Sequence, residues 1–170
     1  MAGMVHVYTG NGKGKTTSAI GLAVRAVGAG HSVFIGQFVK GMKYSELNSL
    51  ADIEGIKVKQ YGQNYFIKGK PNKKDIETAD YGFQEIKKVL SSGDYEVVIL
   101  DEANIATYYN LFTVEELIDI IENRADQVEV VITGRMADDK IIEYADLVTE
   151  MKEIKHYYQK GIMAREGIEK

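Results

Sequence analysis

The chain has no cysteine, no tryptophan and a single proline, Pro71, in 170 residues. Without a thiol there is no disulfide, zinc ribbon, thiolate nucleophile or dithiol redox motif, so all cysteine-based chemistry is excluded. Long hydrophobic runs are also missing. None nears the roughly 18 residues of a membrane-spanning helix, so no membrane partner is expected. Met1-Ala2-Gly3-Met4 lacks the basic and apolar regions of a secretory leader, and the chain reads as cytoplasmic. Positive charge is not in excess either: 21 basic against 25 acidic residues leave a net charge of −4. That balance argues against a general grip on a phosphate backbone, and nucleic acid is not an expected partner.

What is present suits one compact α/β domain over residues 1–170, because a hydrophobic share of 45% at this length can fill a core. Strand-like and helix-like patterns alternate. Residues 5–8 are β-rich, and residues 15–29 place Ala19, Ile20, Ala23, Ala26 and Val27 at helical spacing. A second strand follows over 32–38, a short helix over 44–53, a third strand over 56–61, and a long helix over 73–90 with Asn72 as N-cap. Residues 95–100 form the most hydrophobic strand, as expected for the middle of a sheet covered on both faces. Thr113-Val114-Glu115-Glu116 is a capping box opening a helix to near Asn123. Strand, helix and strand then follow over 128–133, 140–144 and 147–151. The implied class is α/β with a mainly parallel sheet. The Lys-, Gly- and Asn-rich stretch 65–74 around Pro71 reads as the longest irregular loop.

The chemistry concentrates where the first strand meets the first helix. Gly10-Asn11-Gly12-Lys13-Gly14-Lys15-Thr16-Thr17 combines three glycines, which let backbone N–H groups wrap an anion, with a helix N-terminus facing it. Lys15 is the expected phosphate cation and the Thr16 hydroxyl the expected Mg²⁺ ligand. The general phosphate-loop pattern would put its first glycine at Thr9; here it comes one residue later, at Gly10. Asp101-Glu102, after four apolar strand residues, resembles the acidic strand end that holds Mg²⁺ directly or through water. Thr133-Gly134-Arg135 ends another strand at the same sheet edge, where open α/β sheets bind ligands, and puts Arg135 within reach of a phosphate. His6 and His31 read as structural, and spacing alone assigns no role to His156. The aromatics at Tyr61/Tyr65/Phe66 and Tyr108/Tyr109 either pack on the sheet or line a pocket for a planar ligand.

From residue to residue the phosphate loop resembles that of the ATP:corrinoid adenosyltransferases, as does Gly36-Gln37-Phe38-Val39-Lys40-Gly41 on the second strand. The same family's blocks continue in order: residues 98–102, 131–135 and 146–151, then Lys155-His156 and Gly161-Ile162-Met163-Ala164-Arg165-Glu166-Gly167-Ile168-Glu169. The resemblance covers nearly the whole chain. It implies a recombinase-type P-loop NTPase fold, a homodimer, and transfer of the 5′-deoxyadenosyl group from ATP to the Co(I) of a reduced corrinoid, with release of inorganic triphosphate. It further implies Mg²⁺ or Mn²⁺ at Thr16, Glu102 and Asp101, and ATP bound in a reversed sense on Gly10 to Thr17. Lys15, Glu102, Arg135 and His156 would serve the reaction, with help from Lys13, and a flavoprotein could supply the electrons that make Co(I). Family relatives often carry an N-terminal extension that helps close the site, where here only Met1–Met4 precede the first strand. The corrinoid-facing loop reads Tyr65-Phe66-Ile67-Lys68 without tryptophan, and Lys170 stands at the family's terminal aromatic. Other reactions fit the same loop. An ATPase or small-molecule kinase would release ADP, and an ATP-binding regulator would form no product.

Overall fold

The computed structural model describes residues 2–65, 67 and 69–170, so Phe66 and Lys68 of the expected corrinoid-facing loop lie outside the described residues. In chain order the elements are β1 Val5–Thr9, α1 Lys15–Gly28, β2 Val33–Phe38, α2 Glu46–Ala51, β3 Ile56–Tyr61 and α3 Lys73–Ser92. They continue with β4 Val97–Asp101, α4 Ala103–Tyr108, α5 Val114–Glu122, β5 Glu129–Thr133, α6 Asp139–Tyr144 and β6 Leu147–Glu150. The six strands form one sheet in the order β3-β2-β4-β5-β1-β6. Every neighbouring pair is parallel, as the alternation of strands and helices implied.

All residues of β2 and β4 are buried, because helices cover both faces of a parallel sheet. Alternation along β4 divides its side chains between the two faces. Val98 and Leu100 join a cluster with Phe38, Phe83, Phe112 and Leu117 beneath α3 and α5. Val97 and Ile99 join Ala19, Ala23 and Ala26 of α1 on the other. The three alanines recur at helical spacing, so α1 can sit close to the sheet and fix the direction in which its N-terminus points. Each large side chain fully buried here contributes about 1.5–3 kcal/mol, and twelve such chains, Phe34 and Ile132 among them, lie below 2% exposure. No helix of the described residues is long and apolar enough to cross a membrane.

Asn72 caps α3 through Lys74 N–H at 2.8 Å and Asp75 N–H at 3.2 Å, and Asp75 completes a capping box. The expected box at Thr113 and Glu116 also forms. Two differences from the sequence reading bear on the site. The middle strand begins at Val97 and runs through Asp101, so that carboxylate belongs to the strand itself. A helix, α4, starts immediately afterwards; it was not expected, because Glu102, its N-cap, turns the chain through a left-handed conformation (φ 59°) that no local pattern announces.

Candidate active site

The C-terminal edge of the sheet gathers the polar residues, and its backbone is the least ordinary in the chain. Three strands are followed by non-glycine residues with positive φ: Val39 after β2, Glu102 after β4 and Met136 after β5. Such conformations cost about 1–3 kcal/mol each and persist where surrounding structure imposes them, most often at functional sites.

Between β1 and α1 the loop turns at Gly10 (φ 93°) and Gly14 (φ 122°). A side chain at Gly10 would also meet the Met151 carbonyl at 2.5 Å. Gly14 leaves the N-terminus of α1 without a side-chain cap, with N–H groups directed outward as an anion site requires. Lys15 folds back over the loop, its Nζ donating to the carbonyls of Gly10 (2.8 Å) and Gly12 (2.7 Å). Burial is the main influence on Lys15 and lowers its pKa; Arg135 acts the same way, and Glu102 and Asp101 oppose them. The Gly12 N–H, expected to face phosphate, donates instead to the Met151 carbonyl at 2.6 Å. The end of β6 therefore braces the loop from outside.

Two strands away, Asp101 anchors a buried polar network. Its Oδ1 accepts from Thr16 Oγ1 (2.8 Å) and Thr133 Oγ1 (2.6 Å). Its Oδ2 accepts from Lys40 Nζ (2.7 Å) and Gln37 Nε2 (3.1 Å). β5 lies between β1 and β4, so Asp101 meets the loop through Thr16 at the start of α1 rather than through the loop itself. Burial by itself would push the Asp101 carboxyl up, but the Lys40 ammonium, with the Thr133 and Thr16 hydroxyls, holds it below the usual carboxylate range. Lys40 answers in kind: burial opposes its charge, Asp101 outweighs it, and its pKa is raised. Removing one partner of such a buried pair costs about 3–5 kcal/mol.

Glu102 lines the cavity next to the loop. Burial first, then the Asp101 charge, push its carboxyl above the usual range, against the pull of Lys40, Lys15 and Arg135. Its backbone N–H is fixed by Thr133 Oγ1 at 3.1 Å. Thr16 and Glu102 bring oxygen donors of the kind a divalent cation needs to one cavity, and the fit to such an ion rests on these two.

That cavity, of about 570 Å³, is lined by residues 11–17 together with Glu102, Arg135, Glu153, His156, Tyr158, Gln159, Ile168 and Glu169. A second of about 530 Å³ shares Asn11, Arg135 and Glu153 with it and adds Glu150 and Lys152. The structure thus brings Asn11, Gly12, Lys13, Gly14, Lys15, Thr16, Thr17, Glu102, Arg135 and His156 together. Asp101 lies behind this wall at 1% exposure. His156 Nδ1 accepts from the Tyr158 N–H at 3.0 Å, and its ring lies 4.6 Å from that of Tyr157.

Some residues fall elsewhere. Tyr61 packs in the core against Phe38. Tyr65 donates to Asp75 at 2.9 Å, and Tyr109 donates to the Ile67 carbonyl at 3.3 Å. None of these lines the cavity; Tyr158 does. Five residues that the sequence showed only as parts of family blocks, with no role assigned, belong to the site: Gln37, Lys40 and Thr133 around Asp101, and Ile168 and Glu169, which the C-terminal segment brings onto Lys13. Lys13 Nζ donates to the Ile168 carbonyl and lies 3.1 Å from Glu169 Oε1. A glutamine within a six-residue buried strand is the one local signal that pointed toward the network, since a buried amide must be partnered.

Comparison with known proteins places the chain in one family. The family model described as ATP:corrinoid adenosyltransferase BtuR/CobO/CobP matches residues 1–169. The corrinoid adenosyltransferase of Escherichia coli (strain K12) is 34% identical over 167 residues, covering 98% of this chain and 85% of its own. The corrinoid adenosyltransferase CobA of Salmonella typhimurium (strain LT2) is 33% identical with the same coverage. That of Pseudomonas aeruginosa is 34% identical over 169 residues, covering 98% of this chain and 83% of its own. With one family matched from end to end and relatives above 30% identity over almost the full chain, this protein belongs to the ATP:corrinoid adenosyltransferase family BtuR/CobO/CobP.

Proposed function

We propose that this protein transfers the 5′-deoxyadenosyl group of ATP to the Co(I) of a reduced corrinoid, cobalamin or cobyrinic acid a,c-diamide, and releases inorganic triphosphate. The observation that carries the reading is the wall of residues 11–17, Glu102, Arg135 and His156 around one cavity, in a chain of this family. Co(I) brings the electron pair: the cobalt–carbon bond forms at C5′ of the ribose as the C5′–O bond breaks, and triphosphate leaves with the bonding electrons. No proton has to move, so the site needs no serine or cysteine nucleophile and no general base.

The chain's task is then to position and to neutralise. The N-terminus of α1, with Lys15 and Arg135, faces the polyphosphate, and Lys13 joins them. Thr16 and Glu102 would hold Mg²⁺ or Mn²⁺, which when bound neutralises charge on the departing triphosphate. Asp101 acts behind them on Thr16. His156 orients substrate at the cavity wall. The whole chain works as one unit, as a cytoplasmic homodimer, with a flavoprotein as the source of electrons for Co(I).

An anaerobic assay with chemically reduced cobalamin and MgATP tests this, following the visible spectrum for a cobalt–carbon product while phosphate species are separated. Adenosylcobalamin formed with stoichiometric triphosphate is the expected result. ADP formed without a corrinoid requirement would replace the reading with phoshoryl transfer by an ATPase or kinase.

A further inference from the structure

In P-loop enzymes a hydroxyl at the start of the first helix and an acid at the end of a core strand together hold the divalent ion. Here the groups in those two places, Thr16 and Asp101, are bridged by an ammonium. Lys40 Nζ lies 2.7 Å from Asp101 Oδ2 and 3.3 Å from Thr16 Oγ1. An ionised carboxylate offers about four lone-pair positions, and on Asp101 four donors already fill them: Thr16, Thr133, Gln37 and Lys40.

The arrangement is imposed from several directions. Gln37 is oriented by Gln60, whose Nε2 donates to Gln37 Oε1 at 3.1 Å, so its own amide nitrogen must face Asp101. Lys40 reaches the network because Val39 leaves β2 with φ 50°, a conformation that a β-branched residue adopts only under constraint. Backbone packing supplies that constraint. A side chain at Gly41 would meet the Gly62 carbonyl at 2.4 Å, and one at Gly62 would meet the Lys40 nitrogen at 2.4 Å. The Lys40 side chain is 12% exposed and that of Asp101 1%.

Resting on the nucleotide site proposed above, we infer that Lys40 is a positioning residue: a built-in cation that holds Asp101 and Thr16 in place and withdraws Asp101 from metal coordination. The divalent ion is then left to Thr16, Glu102 and the phosphates of the nucleotide, so it binds with ATP and leaves with the triphosphate. Without nucleotide the protein has little hold on it.

The test is a titration of the full chain with Mn²⁺ in the absence of nucleotide, followed by the electron paramagnetic resonance signal of the free ion. Lys40→Met should create a site at least about tenfold tighter than any in the wild type, because it frees one lone pair of Asp101 Oδ2 while Gln37 keeps the other; tenfold corresponds to about 1.4 kcal/mol. Lys40→Arg should stay at the wild-type level, and adding Asp101→Asn to Lys40→Met should abolish the gain. The inference is overturned if Lys40→Met binds no more tightly than wild type, if the wild type already holds one Mn²⁺ as tightly as that variant, or if the gain survives Asp101→Asn. Should Lys40→Met fail to fold, Mn²⁺ binding in the presence of ATP decides. Glu102→Gln should weaken it more than Asp101→Asn, which loses only the support that Asp101 gives Thr16, and an equal loss in both would overturn the inference. Calorimetry with metal-free ATP is read separately: an absence of ATP binding would refute the nucleotide site and leave the nucleotide-free titration to judge Lys40.

Discussion

Replacing Thr133 with valine keeps its shape and removes one hydroxyl, and that hydroxyl makes two bonds at the centre of the site. It donates to Asp101 at 2.6 Å and accepts from the Glu102 N–H at 3.1 Å, in a residue with no exposed surface. A hydrogen bond to a charged group contributes about 1.5–3 kcal/mol, and an amide left without a partner costs about 1–3 kcal/mol. Exchanging a buried hydroxyl for a methyl returns about 1 kcal/mol. The expected net loss is about 1.5–5 kcal/mol, or a fall in Tm of about 3–20 °C for a chain of this size. Thr133→Ser is the control: it retains the hydroxyl, gives up one methyl, and should cost about 1 kcal/mol. Urea denaturation of the three proteins measures the contrast. Only the valine variant should also lose affinity for MgATP, because only there does the backbone of Glu102 lose the anchor that keeps it left-handed. If valine proves as stable as serine, the hydroxyl does not support the network and the account of Asp101 is wrong.

Other consequences can be measured on the same preparations. Gly82→Ala gains about 1 kcal/mol of helix propensity, but the new Cβ would stand 2.3 Å from Tyr61 Cγ; overpacking should win by at least about 1 kcal/mol, and a stabilised variant would refute that packing. Asn72→Ala removes the capping bonds to Lys74 and Asp75 and should lower stability by about 1 kcal/mol, read as an earlier denaturation midpoint with an unchanged slope. Asp101 and Glu102 should bend the pH profile of Tm in opposite senses. The depressed Asp101 contributes stability that is present above the ordinary carboxylate pKa and is lost as pH falls through its lower folded value. The raised Glu102 contributes stability that is intact below the ordinary value and is lost as pH rises through its higher folded value. Glu102→Gln should therefore be more stable than wild type at neutral pH, converge with it below about pH 4, and bind MgATP less well; a variant less stable than wild type at pH 7 would contradict the assignment.

How much of this was legible in the sequence depended on chain distance. The phosphate loop is a local event, set by three glycines and Lys15 between a strand and a helix, and it lies where the pattern put it. The parallel sheet followed from the alternation of elements, and the capping residues Asn72 and Thr113 announced their helices. The network on Asp101 was hidden because its members stand far apart in the chain, with Lys40 61 residues and Thr133 32 residues away. The family block at residues 36–41 marked Lys40, but nothing in its local pattern said that it would pair with a buried carboxylate rather than sit on the surface after a strand. Glu169 meets Lys13 across 156 residues, again with no local trace. The tyrosines were ambiguous for another reason: a large ring with a polar tip fits a core, an edge and a pocket alike. Tyr61 took the core and Tyr158 the cavity wall.

The position of β1 in the sheet also sets the order in which the molecule can be put together. Val5 pairs with Val130 and His6 with Leu147, so the strand that carries the phosphate loop is synthesised well before its neighbours and gains them only after more than 120 further residues exist. β2, β3 and β4 can pair within residues 33–101, whereas β1 must wait for a long closure that slows folding. During that wait the open flank of the sheet is a surface to which another strand could add. On the proposed function a nucleotide would have nothing to grip until β1 is seated, so its binding would report completion of that long-range step. It can thus serve as a folding reporter, separating finished molecules from those in which only the first half of the sheet has formed.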